Sequence, residues 1–508
     1  MSLPDGWATA PIGDLCDLIN GRAFKPRDWT EKGLPIIRIQ NLNRPEADFN
    51  YFDQEVDQRF LVEPGELLFA WSGTPGTSFG AHIWNGPKAI LNQHIFRVRF
   101  DEKEFDKAFF KLAINMKLSE LIGKAHGGVG LAHVTKGTFE RTEISIPPLP
   151  EQRRIVSRLD ALTARISRAR AELDVVPVLA KNMRLITLRA GVTGRLTEER
   201  RLSSPQEPID QLLQRVPAPQ QGRGGREATD KVMPGVAGLS VNNPGTPLPD
   251  GWRWVPLLRI ARQETGHTPS RSQSSYWDGG VPWIGIRDAG AHHGRYITET
   301  MQTISKAGLA NSSARLLPAG TVCLSRTASV GYVTIMARSM ATSQDFATWT
   351  CTEALLPEYL MYALMAEGED IRKFGMGSTH TTIYFPEIRA LHIALPPLEE
   401  QQEIAARIGQ VLARADRLEA EVARAHALLD RLEAAILAKA FRGELAPQDP
   451  TDEPTSVLLE RVRAHRAAAR EDKAGSRMRI RRDTTLPKGC TAASKQRQAR
   501  AKITPPIS

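Results

Sequence analysis

Between Ile404 and Ile436, apolar residues return at alternating steps of four and three: Ile404, Ile408, Val411, Ala415, Leu418, Val422, Ala425, Leu429, Leu432 and Ile436. The flanking positions are charged. This heptad seam predicts a helix that packs on a partner helix, because a globular face usually needs a wider apolar stripe. Earlier in the chain, Ile155, Leu159, Leu162, Ile166, Ala169, Leu173 and Val176 keep the same steps until Pro177 interrupts. A proline inside a helix removes a hydrogen bond, so a bend or a split is expected there. A helix over the second seam would be about 55 Å long at roughly 1.5 Å per residue.

The stretches ahead of the two seams follow a different rhythm. "GLPIIRIQ", "GELLFAW" and "AILNQHIFRVRF" are short apolar runs between turn signals, and "FDKAFFKLAINMKLSELIG" is helical. "VPWIGI", "GTVCLSR" and "GYVTIMA", followed by the helical "PEYLMYALMAEGEDIRKF", repeat that order later in the chain. Short strands beside helices predict an α+β unit, met twice.

The duplication is also visible in letters. "IPPLPEQRRIVSRLDAL" begins at Ile146 and "LPPLEEQQEIAARIGQVL" at Leu395. "LPDGW" stands at Leu3–Trp7 and again at Leu248–Trp252, while "AGVTGRL" ends at Leu196 and "KAFRGEL" at Leu445. The offset is 245 residues for the first motif and 249 for the other two. Pro147 to Gly194 and Pro396 to Gly443 both span 47 positions. A whole unit is repeated, unlike the short periods of solenoids. The proline pairs end a strand and fix a helix start, with Glu151 and Glu400 near the positive end of the helix dipole.

The expected order is a head over 1–146, a helix region over 147–196, a linker over 197–246, a second head over 247–395, a second helix region over 396–445, and a C-terminal segment over 446–508. The linker is rich in Gly, Pro, Gln and Ser, with one short helix expected at "PIDQLLQRV". The expected fold class is α+β: two duplicated α/β heads separated by two long antiparallel helices, a coiled-coil spacer with a pseudo-twofold axis. Two such heads suit a target with two parts. Their middles diverge, so the two parts should differ.

Charge changes this picture only locally. The 508-residue chain carries a net charge of +10, but residues 461–508 hold 14 Lys/Arg and 3 Asp/Glu, so the rest is near neutral. The tail "RMRIRRDTTLPKGCTAASKQRQARAK" has few large apolar residues and is expected to lack a fold, serving either as a solvated tail or as an auxiliary DNA contact. Cys16, Cys323, Cys351 and Cys490 are scattered without metal-ligand spacing, which points to a reducing cytoplasm. No apolar run is long enough for a membrane span, and "MSLPDGWATA" has no signal-peptide pattern, so neither a membrane nor a leader is expected.

Catalytic motifs are not found. There is no G-x-x-x-x-G-K-[ST] for ATP, no N/D-P-P-Y/F tetrapeptide, and no G-x-G after a strand. "HGGVGLAH" at His126–His133 follows a helix and reads as a turn rather than a phosphate cradle. The pair His292–His293 reads as a surface loop rather than a metal site. No catalytic residue, metal or cofactor is expected in this chain.

The ordered set "LPDGW", "PPL-x-EQ", long helix and "AFRGEL" ("AGVTGRL" in the first copy), given twice around variable segments, resembles the specificity subunit of type I restriction-modification enzymes. The resemblance covers about residues 1–460. It implies that the heads are target recognition domains and that the chain is a non-catalytic DNA-binding subunit. The implied target is an asymmetric, bipartite double-stranded sequence with a fixed spacer. It implies two copies of a modification subunit, an adenine methyltransferase using S-adenosylmethionine, and ATP-dependent restriction subunits that need Mg. Pro177 and the basic tail depart from the family pattern. The rival readings are a self-sufficient methyltransferase or nuclease, and a coiled-coil scaffold binding only proteins.

Candidate DNA contacts follow from residue types, since base edges are read by Arg, Asn, Gln, Ser and Thr and phosphates by Arg, Lys and hydroxyls. The first head offers Arg38, Gln40, Asn41, Asn43 and Arg44, then Ser72, Thr74, Thr77 and Ser78. The second offers Thr268, Ser270 and Arg271; Arg287, Asp288 and Arg295; Ser325, Arg326, Thr327 and Ser329; and Ser378, Thr379, His380 and Thr381. Each group is a polar loop beside an expected strand.

Overall fold

The computed structural model describes residues 3–44, 47–73, 77–123, 132–203, 207–222, 227–376 and 381–483. Its contacts divide the chain into two units, Met1–Arg168 with Leu429–Ser508, and Ala169–Leu428. Each unit holds one head together with parts of both long helices.

In the first unit, Asp17–Asn20, Ile95–Arg99, Leu67–Ala70 and Gly80–Ile83 lie side by side as an antiparallel sheet. A second sheet runs Asn50–Phe52, Leu34–Ile37, Ala89–Leu91 and Leu61–Val62, with its two central strands parallel. Ala8–Pro11 pairs with Glu143–Ile146 and closes the head. Phe69, Phe96, Phe105, Phe109, Phe110 and Phe139 fill the core under the helix Lys107–Met116.

The second unit repeats this plan. Ala261–Thr265, Phe346–Cys351, Val322–Ser325, Val333–Met336 and Tyr296–Ile297 form one sheet, and Gln302–Ile304, Trp277–Ile284 and Ala341–Thr342 another. Arg253–Pro256 pairs with Leu391–Leu395 as the closing pair. The other edge of Leu391–Leu395 is taken by Leu239–Val241, which in turn pairs with Met233–Pro234. The stretch read as a linker is therefore partly folded into the second head, while its expected short helix stands at Ile209–Arg215. Leu239 and Val241 are buried in the core, which is the driving force the Gly- and Pro-rich composition concealed. Glu367 fixes the turn before them. Its fully buried carboxylate accepts from the backbone N–H of Val236 at 2.8 Å and of Ala237 and Leu239 at 3.1 Å.

The two long helices are Leu149–Val192 and Leu398–Ala440. Within the second unit they run antiparallel: Asp174 meets His426 at 3.2 Å, Arg184 reaches Asp416 at 2.7 Å and Glu419 at 2.6 Å, and Gly191 lies against Ile404 and Ile408. A Cβ on Gly191 would stand 2.7 Å from Ile408 Cδ1, so any larger residue would have to push the Ile408 side chain aside. The first long helix is continuous through Pro177, so the split that the sequence allowed does not occur. Pro177 is exposed, so water can satisfy the Leu173 carbonyl that loses its partner.

The seam positions divide into three kinds. Ile155, Leu159, Ile166, Ile404, Ile408, Ala415 and Val422 are buried, and Leu162, Leu173, Val411, Leu429 and Ile436 are half-buried. Leu418 and Leu432 are 40% and 48% exposed, so those two do not belong to the buried seam. A two-helix contact covers only a narrow stripe, and beside Leu418 the ion pairs of Arg184 with Asp416 and Glu419 take the contact.

The repeated motifs meet in space. Trp7 Nε1 donates to Glu151 at 3.1 Å, and Trp252 Nε1 donates to Glu400 at 2.9 Å. Gln152 donates to the Pro147 carbonyl at 3.0 Å and accepts from the Asp106 backbone at 2.9 Å; Gln401 does the same with Pro396 at 2.9 Å and Leu356 at 2.8 Å. The third motif crosses over. Gly443, after the second long helix, lies against Pro4, and Gly194, after the first, lies against Pro249. Each head is thus closed by the helix end that belongs to the other repeat.

The C-terminal segment contains a folded helix. A helix covers Thr455–Asp483, and Leu458, Leu459 and Val462 are buried in the first head's core. Arg461 forks onto Glu104 at 2.7 and 2.6 Å, and Arg466 reaches Asp17 at 2.9 Å. The apolar residues of "SVLLERV" give this helix a buried face, which the net charge of the region obscured. Residues 484–508 lie outside the described residues.

Candidate nucleic-acid interface

In both heads the polar loops gather at one set of strand ends. In the first head, Ile37 pairs in parallel with Leu91, Arg22 donates its backbone N–H to Leu91, Trp71 to His94, and Val134 to Trp71. In the second, Ile284 pairs with Thr342, His267 donates to Thr342, Arg326 to Asp345, and Ile383 to Arg326. These bonds make Arg22 equivalent to His267, Trp71 to Arg326, Gln93 to Gln344 and His94 to Asp345. The loops after Ile37 and Ile284, after Ala70 and Ser325, and before Val134 and Ile383 therefore surround the same turn in each head.

The loop after Ile37 starts the short helix Ile39–Asn43, and the matching loop starts Ile286–Ala291. Gln40, Asn43 and Arg44 are exposed on the first, and Arg287 on the second. Asn41 and Asp288 occupy the same place but are buried. Asn41 accepts from the Arg38 backbone at 3.1 Å and donates to the Ala47 carbonyl at 3.1 Å. Asp288 accepts from the Gly285 backbone at 2.9 Å and from Met301 at 2.7 Å. Both hold their loops in shape. Arg38 is half-buried, donates to the Asp48 carbonyl at 3.2 Å and lies near the Trp29 ring.

The second head presents a cavity of about 480 Å³ at these loops, lined by Arg271, Trp283, Arg287, Gln302, Ser343 and Asp345 among others. The Arg271 guanidinium lies 4.8 Å from the Trp277 ring and 5.8 Å from Trp283, which pre-orients it by cation–π attraction. Thr268 donates to Gln344 at 2.6 Å, and Ser270 bonds Ser272 at 2.9 Å.

The turn Ser325–Gly331 is built tightly. Ser325 is fully buried; its hydroxyl donates to the Ser329 carbonyl at 2.5 Å and accepts from the Tyr332 backbone at 2.8 Å. Ser329 donates its backbone N–H to Thr327, and the Thr327 hydroxyl bonds Thr382 at 2.9 Å. Arg326 donates to the Gln344 carbonyl at 3.0 Å and stacks 4.5 Å from Phe385. Burial lowers its pKa, and nearby Asp345 opposes that.

In the first head Ser72 and Ser78 are buried, and Thr77 is exposed. Thr381 is half-buried. Thr74, Ser378, Thr379 and His380 lie outside the described residues.

Arg295 stands apart from the loops it was grouped with. It pairs with Asp416 of the second long helix and lines a cleft beside Arg184 and Leu188. Its proximity in sequence to Arg287 was misleading because the short helix and turn in between carry the chain away. His292 and His293 are tied to backbone groups of Asp288 and Val333, and no three potential metal ligands converge among the described residues.

Sequence reasoning did not place Arg22, Gln93, His94, His267, Gln344 and Asp345 beside these loops. The signal that finds them is the equivalence of the two heads, which loops of unequal length hide.

The family described as "Type I restriction modification DNA specificity domain" matches residues 4–175 and 249–424. The chain belongs to this family. Each match begins in a repeated "LPDGW" motif and takes in one head with part of its long helix. Among curated relatives, the EcoBI specificity subunit of Escherichia coli is 26% identical over 491 residues, covering 93% of this chain and 95% of the relative. The EcoKI specificity subunit of Escherichia coli strain K12 is 25% identical over 498 residues, covering 93% and 98%. The fold matches the HsdS subunit from Thermoanaerobacter tengcongensis with a TM-score of 0.56 at 22% identity, over 87% of this chain and 98% of that one. A chain from a study of complex assembly in a type I R-M system gives a TM-score of 0.61 at 22% identity, over 87% and 100%. Its family role is DNA-target recognition, and among the described residues no helix is long and apolar enough to cross a membrane.

Proposed function

We propose that this specificity subunit reads an asymmetric bipartite DNA target, one half with each head, and directs methylation and cleavage carried out by partner subunits. The observation that carries the reading is the pairing of equivalent loops with unlike side chains. Arg22, Gln40, Trp71 and His94 in one head correspond to His267, Arg287, Arg326 and Asp345 in the other. Equal scaffolds with unequal readers fit half-sites of different sequence.

Gln40, Asn43 and Arg44 in the first head, and Arg271 and Arg287 in the second, are the exposed groups best suited to base edges or phosphates. Arg38, Asn41, Asp288 and Ser325 support the loops that present them. The antiparallel helices set the length of the unread spacer.

The proposed partners are two modification subunits, which use S-adenosylmethionine to methylate adenine, and ATP- and Mg-dependent restriction subunits. The chain itself supplies no catalytic group in this reading, and the complex works in the cytoplasm. Support for a helical partner comes from the first long helix, where Val175, Val178, Leu179 and Ile186 form an exposed apolar stripe on the side away from the seam.

Methylome sequencing of a host carrying the intact system tests the proposal. It should show one bipartite motif with two unlike halves. Exchanging residues 1–146 for a relative's head should change one half only. A change in both halves, or methylation without a bipartite motif, would refute it.

A further inference from the structure

The turns at the centre of the two sets of loops have diverged at almost every position but one. Asn92-Gln93-His94 in the first head corresponds to Ser343-Gln344-Asp345 in the second, by the backbone bonds of Trp71 to His94 and Arg326 to Asp345. The residues around them differ in kind: Arg22 against His267, Trp71 against Arg326, Asn41 against Asp288. The glutamine is kept.

Nothing inside the heads requires it twice. Gln93 Nε2 contacts the His94 ring at 3.1 Å. Gln344 instead accepts from the Thr268 hydroxyl at 2.6 Å. The two amides serve different local bonds, and Gln344 is exposed while Gln93 is half-buried. Among the described residues, those bonds leave Oε1 of Gln93 and Nε2 of Gln344 without a further partner. A buried structural glutamine looks different here: Gln152 and Gln401 are fully buried and make matching bonds in both copies.

We infer that Gln93 and Gln344 are specificity-determining residues that read the same chemical feature in two otherwise unlike half-sites, the major-groove edge of an adenine. A carboxamide offers one acceptor and a donor pair side by side, which complements the N6 amino group and N7 of adenine. The inference rests on the bipartite reading above, in which adenine methylation requires an adenine in both halves. The unlike neighbours, His94 with Trp71 and Asp345 with Arg326, then read the bases that distinguish the halves.

The test uses the full complex in its host, with the methylated motif read by sequencing for wild type, Gln93→Ala and Gln344→Ala. Each variant should relax one adenine position, in the first half-site for Gln93→Ala and in the second for Gln344→Ala. Discrimination at that position should fall by about ten-fold to a hundred-fold, with the other half unchanged. Gln93→Glu and Gln344→Glu keep shape and remove the amide donor, so they should give the same position-specific change even if an alanine variant folds poorly. An unchanged motif in all four variants would overturn the inference. So would relaxation at a base other than adenine. Uniform weakening across sequences with a shallower salt dependence would mark a phosphate contact and overturn it too. If the wild-type complex itself shows no bipartite motif, the underlying reading fails rather than this one.

Discussion

Trp252 donates its indole N–H to Glu400, 148 positions away, and Glu400 also accepts from Thr197 and Arg201, both at 2.5 Å. Glu151 holds the equivalent place below Trp7, yet among the described residues no arginine bonds it, and burial raises its pKa above the ordinary value of 4.5 despite the Trp7 bond and nearby Arg154. The two glutamates should therefore respond oppositely to neutralisation. Glu400→Gln takes the charged partner from Arg201 and should cost on the order of 2–3 kcal/mol in the second unit. Glu151→Gln should not destabilise the first unit at neutral pH. A raised folded pKa means that stability is fully present below the unfolded value and is lost as pH rises through the folded one. Thermal unfolding of both variants from pH 4 to 8 checks this: Glu151→Gln should gain on wild type as pH rises.

Glu367 is the lock of the segment between the repeats. Glu367→Ala leaves the N–H groups of Val236, Ala237 and Leu239 without their acceptor and should cost about 3 kcal/mol or more. Hydrogen exchange should show protection lost first in residues 233–241. Unchanged protection there would mean the strand Leu239–Val241 is held by its pairing alone.

The C-terminal segment should behave as two parts. Removing residues 484–508 should leave thermal stability unchanged and flatten the salt dependence of non-specific DNA binding, because fewer counterions are released. Removing residues 455–508 should lower stability by several kcal/mol, since Leu458, Leu459 and Val462 leave the first head's core, each worth roughly 1.5–3 kcal/mol. Differential scanning calorimetry and salt titrations of both truncations separate the two effects.

The helices, the duplication and the head order were readable because heptads, repeated letters and short apolar runs are local signals. What escaped depends on distant partners. The pairing that folds the linker joins Leu239 to Ile393, and Arg295 finds Asp416 121 positions on. Asn41 and Asp288 have the chemistry of base readers, but only their burial shows that they hold turns. The equivalence of Gln93 and Gln344 was hidden by loop lengths: the offset between the heads is 245 at Arg22, 255 at Trp71 and 251 at Gln93. The exposure of Leu418 and Leu432 could not be read either, because a heptad does not say how many helices share the seam.

The central claim is that the antiparallel helices measure the distance between two independent readers. Asp174 and His426, 3.2 Å apart, mark one level of the pair. Inserting four residues into each long helix at that level would add roughly 6 Å along the axis, close to two base pairs at about 3.4 Å each. The added residues also turn each helix by about 40° beyond a full turn, which the seam must absorb. Methylome sequencing of a host carrying this variant is the direct measurement. The account predicts a spacer longer by one or two base pairs with both half-sites unchanged; the original spacer, or an altered half-site, would contradict it.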